Sequence, residues 1–376
     1  MTRKQRLLNQ IHGDEADRIP RIGGWNLGVR NLSALAGISV EEYLKDPFQG
    51  MLRANICLGV DAMVPPIVPT DIDSIRDGSL QESIFEGVEP EALQERAEAI
   101  PATANEVLAR FDAEAAEANY RRYLGGLREQ LGEIELLTTV WEATANFALY
   151  FQYGYEAFLA ATVLYPEEVG RIYWEDALLA RERNRIVVRL MTEWDLVPML
   201  LTGHDICNNS GPMCSPAFLK EFYWEHARVS LEPFVDAGIR VIGHCDGNVM
   251  PLIDDMIGAG FSGFQGFQYE CGMDPYSIRS RKVVAGEYPL FMAGLSVTRT
   301  LPFGTPQDVD EEVEYCLDYT DGGKGLFLFT SNVTGVEVPP ENIRAANRHV
   351  ESIRPGQPRP GGGTRKEWPW RLSHPV

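Results

Sequence analysis

The chain has 376 residues, 44% apolar and 23% charged, a mixture that suits a globular protein with a large core and excludes disorder for its bulk. Its 34 basic and 54 acidic side chains leave a net charge of −20, which repels nucleic acid and anionic membrane surfaces and points to a small-molecule substrate. No apolar run reaches the roughly 20 residues needed to span a bilayer. The polar opening Met1-Thr-Arg-Lys-Gln-Arg and six scattered cysteines suit reduced thiols in a cytoplasm.

In chain order, short apolar segments followed by helical or capped stretches predict eight parallel strands: 18–25, 61–68, 136–141, 197–202, 239–243, 263–268, 290–294 and 326–330. Eight is the number that closes a (β/α)8 (TIM) barrel, so a single α/β barrel over residues 1–353 is the expected fold. An Ala- and Glu-rich stretch from about Glu89 to Leu131 predicts an acidic helical insertion between the second and third strands. Ser215-Pro216, Thr305-Pro306 and Pro339-Pro340 mark helix starts, and Gly238 marks a helix end. Cys57 and Cys316 fall on apolar helical faces and are expected in the core. Residues 354–376 are too rich in Pro and Gly to continue a helix and read as an extended arm, whose Trp368 and Trp370 would dock on the body or on a second subunit of a homodimer.

In such a barrel, the residues just past each strand face one pocket. That position holds Asp71 after the second strand, Trp141 after the third, His204 and Asp205 after the fourth, and His244-Cys245-Asp246-Gly247-Asn248 after the fifth. Glu270 and Cys271 follow the sixth, Ser296 the seventh and Asn332 the eighth, with Arg30 as the cation nearest the first strand's end. His244 and Asp246 point the same way if the chain is still extended. With Glu270 or Cys271 they would give a three-ligand metal site with one open position; equally, they would hydrogen-bond each other and position substrate without metal.

Several stretches carry a family resemblance, in order, from about Arg6 to Arg348: RLLNQIHGDEADRIPR, GPMCSPAFLKEFYWEHA, IGHCDGN, GFQGFQYECGMD, GLSVTRTLPFGTPQDVDEEV and VEVPPENIRAA. Together they resemble the uroporphyrinogen decarboxylase-like superfamily. The resemblance implies a (β/α)8 barrel and either decarboxylation of a tetrapyrrole or methyl transfer between a corrinoid and an acceptor. The family's decarboxylases use an arginine-rich loop for their many carboxylates, whereas the matching loop here, GGWNLGVRNLSALAG, has Arg30 alone. The corrinoid-dependent methyltransferase branch holds zinc by His-x-Cys after the fifth strand and a cysteine after the last. His244 matches the histidine, while Asp246 and Asn332 stand where the cysteines would be. The resemblance thus implies a methyltransferase that works with a corrinoid (cobalamin) carried by a partner protein, with His244 and Asp246 in metal or acid/base roles and zinc as the implied ion. Trp141, His204, Asp205, Asn248, Ser296, Asn332 and Arg30 would bind substrate. The alternative is a metal-free carboxy-lyase using Asp71 and His244; a third reading is a barrel that binds a small molecule without turnover.

Overall fold

The computed structural model describes residues 1–72, 88–284, 286–357 and 365–370. They form a mixed α/β structure with parallel strands at all eight positions expected from the sequence. The strands are β1 (Ile22–Gly23), β2 (Ala62–Met63), β3 (Glu135–Leu136), β4 (Thr138–Thr139), β5 (Met199–Gly203), β6 (Arg240–His244), β7 (Gly263–Gln265), β8 (Leu290–Leu295) and β9 (Leu326–Thr330). The third expected strand is interrupted at Leu137 and appears as β3 and β4. The chain packs as two compact units, one of residues 1–72, 127–138 and 263 onward, the other of 88–126 and 139–262.

In the first unit, β7, β8 and β9 lie parallel, with Leu290 opposite Gly263 and Phe291 opposite Leu326. A parallel bridge from Leu328 to Arg21 leads to β1, which pairs through β2 to β3. Every residue of β8 is buried, as a parallel strand covered on both faces requires. The N-terminal helix Arg3–His12 is clamped to this sheet by Gln10, whose buried amide donates to Gly323 O at 2.6 Å and Leu326 O at 2.7 Å.

The opening charged stretch builds a buried ion cluster. Asp61, fully buried beside β2, accepts from Arg6 Nη1 at 2.5 Å, from Arg18 Nη1 and Nη2 at 2.7 and 3.0 Å, and from the Arg21 amide at 2.9 Å. Arg6 also grips Asp17 at 2.6 and 2.8 Å, which holds that carboxyl down at about 2. This network ties the first helix, β1 and β2 together through charge-assisted hydrogen bonds that meet both carboxylate oxygens of Asp61.

A second buried acid sits on the helix Pro306–Tyr319, whose predicted start is a capping box between Thr305 and Asp308. Glu312 is 1% exposed, and burial pushes its carboxyl up to about 8, although hydrogen bonds from Trp368, the Ser296 amide and Thr300 pull it down. Its folded pKa lies above the ordinary glutamate value, so its contribution to stability is full below the unfolded pKa and is lost as pH rises through about 8. Wild type is expected to lose stability over that window at up to about 1.4 kcal/mol per pH unit. Urea unfolding across the window checks this against Glu312→Gln; parallel pH profiles would mean that Glu312 contributes nothing to the slope.

In the second unit, β5 and β6 pair over their full length, from Met199 opposite Arg240 to Gly203 opposite His244. The insertion forms helices Glu91–Glu98, Ala104–Leu108 and the start of Ala113–Leu131, as the sequence predicts. A 28-residue helix, Pro166–Glu193, packs on Trp224–Asp236. Between them the fully buried Asn184 donates to Ala143 O and Ser230 O, both at 2.7 Å, and Ser230 Oγ accepts the Ala145 amide at 3.1 Å. These bonds fix the segment after β4 that carries Trp141. Ser215 caps Pro216–Phe222 and Gly238 takes the left-handed conformation (φ 70°), both as predicted. Cys316 is buried, but Cys57 is exposed, because its helix Pro47–Cys57 turns its buried side along Met51, Leu52, Ala54 and Asn55.

Candidate metal centre

β5 and β6 end side by side, and the chain beyond each turns back at once. Gly203 (φ 141°) makes the first turn possible, since a Cβ there would lie 2.2 Å from His244 O. Gly247 (φ 79°) does the same beyond β6, with a Cβ position 2.3 Å from Asn208 O. Only glycine combines those angles with that closeness. The missed feature next to them is a short antiparallel hairpin, Cys207–Asn208 against Gly211–Pro212, whose Asn208 O also accepts the Asn248 amide at 2.9 Å.

Those turns bring Asp205, His244 and Asp246 together, with one ligand atom from each lying within 4.8 Å of the other two. Asp205 Oδ1 stands 3.6 Å from His244 Nε2 and accepts the Asp246 amide at 2.9 Å. Tyr150 anchors the same loop by donating to Asp205 O at 3.0 Å. The extended end of β6 puts His244 and Asp246 on one side, as alternation requires, and sends Cys245 to the other. There the Cys245 thiol is buried and donates to Asp246 O at 3.3 Å; its contact with the Cys207 thiol, together with burial, raises its pKa well above the ordinary thiol value. A buried, protonated thiol facing away is a poor ligand.

Around the cluster, Trp141 packs edge-on against the His244 ring at 5.7 Å between centroids and is 40% exposed, so it forms an accessible wall. His204 is half-buried, and burial pushes its imidazole down to about 4, with neighbouring His244 adding to the fall and Asp205 opposing it. It is therefore neutral near pH 7. Asn248, half-buried, uses Oδ1 to accept the Met250 amide at 3.2 Å and so shapes the next turn.

The other sequence-nominated residues belong to the first unit. Glu270 Oε1 accepts from the Thr298 hydroxyl, and Cys271 Sγ lies 3.8 Å from Gln268 Oε1. Ser296 is fully buried, its Oγ accepting the Arg299 amide at 3.1 Å. Asn332 Oδ1 accepts the Val333 amide at 2.6 Å. Asp71 and Arg30 are both exposed. The three-residue group thus draws its third member from Asp205, which sequence reasoning placed in the pocket as a substrate contact. The available signal was its position straight after β5, beside the strand that carries His244.

One imidazole nitrogen and two carboxylate oxygens are a donor set that divalent ions accept, and three protein ligands leave a further position for an exogenous ligand. The observed separation of 3.6 Å is close to the distance, on the order of 3 Å, between neighbouring donors of one ion. Zinc fits, and so does a harder ion such as manganese, because thiolate is absent from the group. Gly203→Ala is expected to destabilise the protein by about 2–6 kcal/mol, combining backbone strain with the clash at His244 O, and to weaken metal binding in parallel. Urea unfolding with metal titration checks this, and wild-type values in both would remove the turn from the account.

No family model and no curated protein matches the chain. Among solved structures it is similar to a methyltransferase from Methanosarcina mazei, with a TM-score of 0.60 and 15% identity over 93% of this chain and 98% of that one. At that identity the likeness is one of fold.

Proposed function

We propose that the protein is a methyltransferase built on a (β/α)8 barrel, with a divalent ion held by Asp205, His244 and Asp246 and a corrinoid on a separate protein as its methyl donor or acceptor. The convergence of these three side chains at paired strand ends supports the reading most directly. When bound, such an ion polarises a coordinated atom and stabilises charge developing on it. The chain's own residues supply the rest. Asp205 and Asp246 would balance the ion's charge, the Asp205 carboxylate 3.6 Å away and the Trp141 ring flank His244, and neutral His204 keeps an uncharged imidazole beside the cluster. The oxygen-rich donor set favours activation of an oxygen or nitrogen group over a soft thiol.

The test is incubation with methylcobalamin and a panel of hydroxyl, amine and thiol acceptors, following the change in the corrinoid's visible spectrum. Demethylation by the metal-loaded protein, absent in His244→Ala, is the expected result. A metal-loaded protein that demethylates with none of the acceptors, and methylates no reduced corrinoid from the methylated acceptors, would overturn the proposal.

A further inference from the structure

Residues 365–370 of the C-terminal arm are held at several points. Arg365 Nη2 donates to Asp274 Oδ2 at 2.7 Å, the Lys366 amide donates to the Tyr276 hydroxyl at 3.2 Å, and Lys366 Nζ pairs with Asp318. Trp368 is 5% exposed, with its ring tilted on Tyr269 at 5.5 Å. Its indole N–H reaches Glu312 Oε1 at 2.7 Å. Docking on the chain's own body is one of the two outcomes the sequence left open.

Glu312 is where the arm meets the strand ends. Oε1 also accepts from the Thr300 hydroxyl at 3.0 Å, while Oε2 accepts the Ser296 amide at 3.2 Å, immediately past β8. Ser296 Oγ lies 3.4 Å from Thr298 Oγ1, and Thr298 donates in turn to Glu270 Oε1. A continuous hydrogen-bonded path therefore runs from the arm through Glu312 to the turn at residues 296–300 and on to Glu270. A buried acid with two well-placed oxygens holds such a turn only while water is kept from it. The Trp368 ring covers this acid, and its N–H occupies the acceptor site that water would otherwise enter.

We propose that the C-terminal arm is an intramolecular strap and that Trp368 is a positioning residue, which through Glu312 sets the turn after β8 and, by way of Thr298, the carboxylate of Glu270. This role is independent of whether the Asp205 cluster binds metal.

Hydrogen–deuterium exchange on the full chain, read over peptides spanning 290–301 with β5 and β6 as internal reference, tests it. Trp368→Phe keeps the ring and removes only the donor. It is expected to keep a Tm near wild type while raising exchange at the Ser296 amide about ten-fold, the value of one hydrogen bond. Trp368→Ala is expected to raise exchange further and to open Arg365 and Lys366 to trypsin. Wild-type protection of Ser296 in Trp368→Phe would overturn the positioning role and leave a ring that fills space. That decision stands even if Trp368→Ala fails to fold.

Discussion

Replacing Asp61 by alanine is expected to cost about 3–5 kcal/mol of stability, the range for removing one partner from a buried ionic group. The size follows from what would be left behind. Arg6 and Arg18 turn their guanidinium groups into Asp61, which is fully buried, and the Arg21 amide points at it as well. Without the carboxylate, two cations remain close together with Asp17 and backbone carbonyls as their remaining acceptors. Asp61→Asn is expected to be milder but still destabilising, since its amide nitrogen would face arginine donors. Urea unfolding checks both, and a loss under about 1 kcal/mol for Asp61→Ala would show the cluster to be dispensable.

The second large effect concerns metal affinity. A three-ligand site loses much of its binding when one ligand goes, so Asp205→Ala, His244→Ala and Asp246→Ala are each expected to weaken a divalent ion by about 100-fold or more. Asp205 is the discriminating position. It holds Asp246 by its backbone amide and is a proposed ligand of the ion, so Asp205→Asn keeps the amide bond while removing charge. Isothermal titration with zinc and manganese is expected to rank Asp205→Asn between wild type and Asp205→Ala. Equal affinity in all of these proteins would place the ion elsewhere.

Much of the architecture is readable from the chain because buried parallel strands are uniformly apolar. Leu326–Thr330 is found with the predicted bounds, and the caps at Ser215 and Thr305 follow from side-chain chemistry local to each turn. The pairing of His244 and Asp246 follows from strand alternation. What the sequence hides is long-range. Glu312 sits in the acidic run Asp310-Glu311-Glu312, where no local signal marks it for burial, yet it is buried with the arm's Trp368, 56 residues later, donating to it. The hairpin at Cys207–Pro212 passes as a plain loop because two-residue strands carry no periodicity. The division into two compact units is equally silent, since one of them is assembled from three separated stretches of chain.

The proposed metal centre of Asp205, His244 and Asp246 can be tested on the purified protein itself. The most direct test is the metal content of protein purified without chelator, measured before and after incubation with zinc or manganese, for wild type and His244→Ala side by side. One tightly held divalent ion per wild-type chain and none in the variant is the expected result. Wild-type protein that retains no ion after incubation with either metal would contradict it.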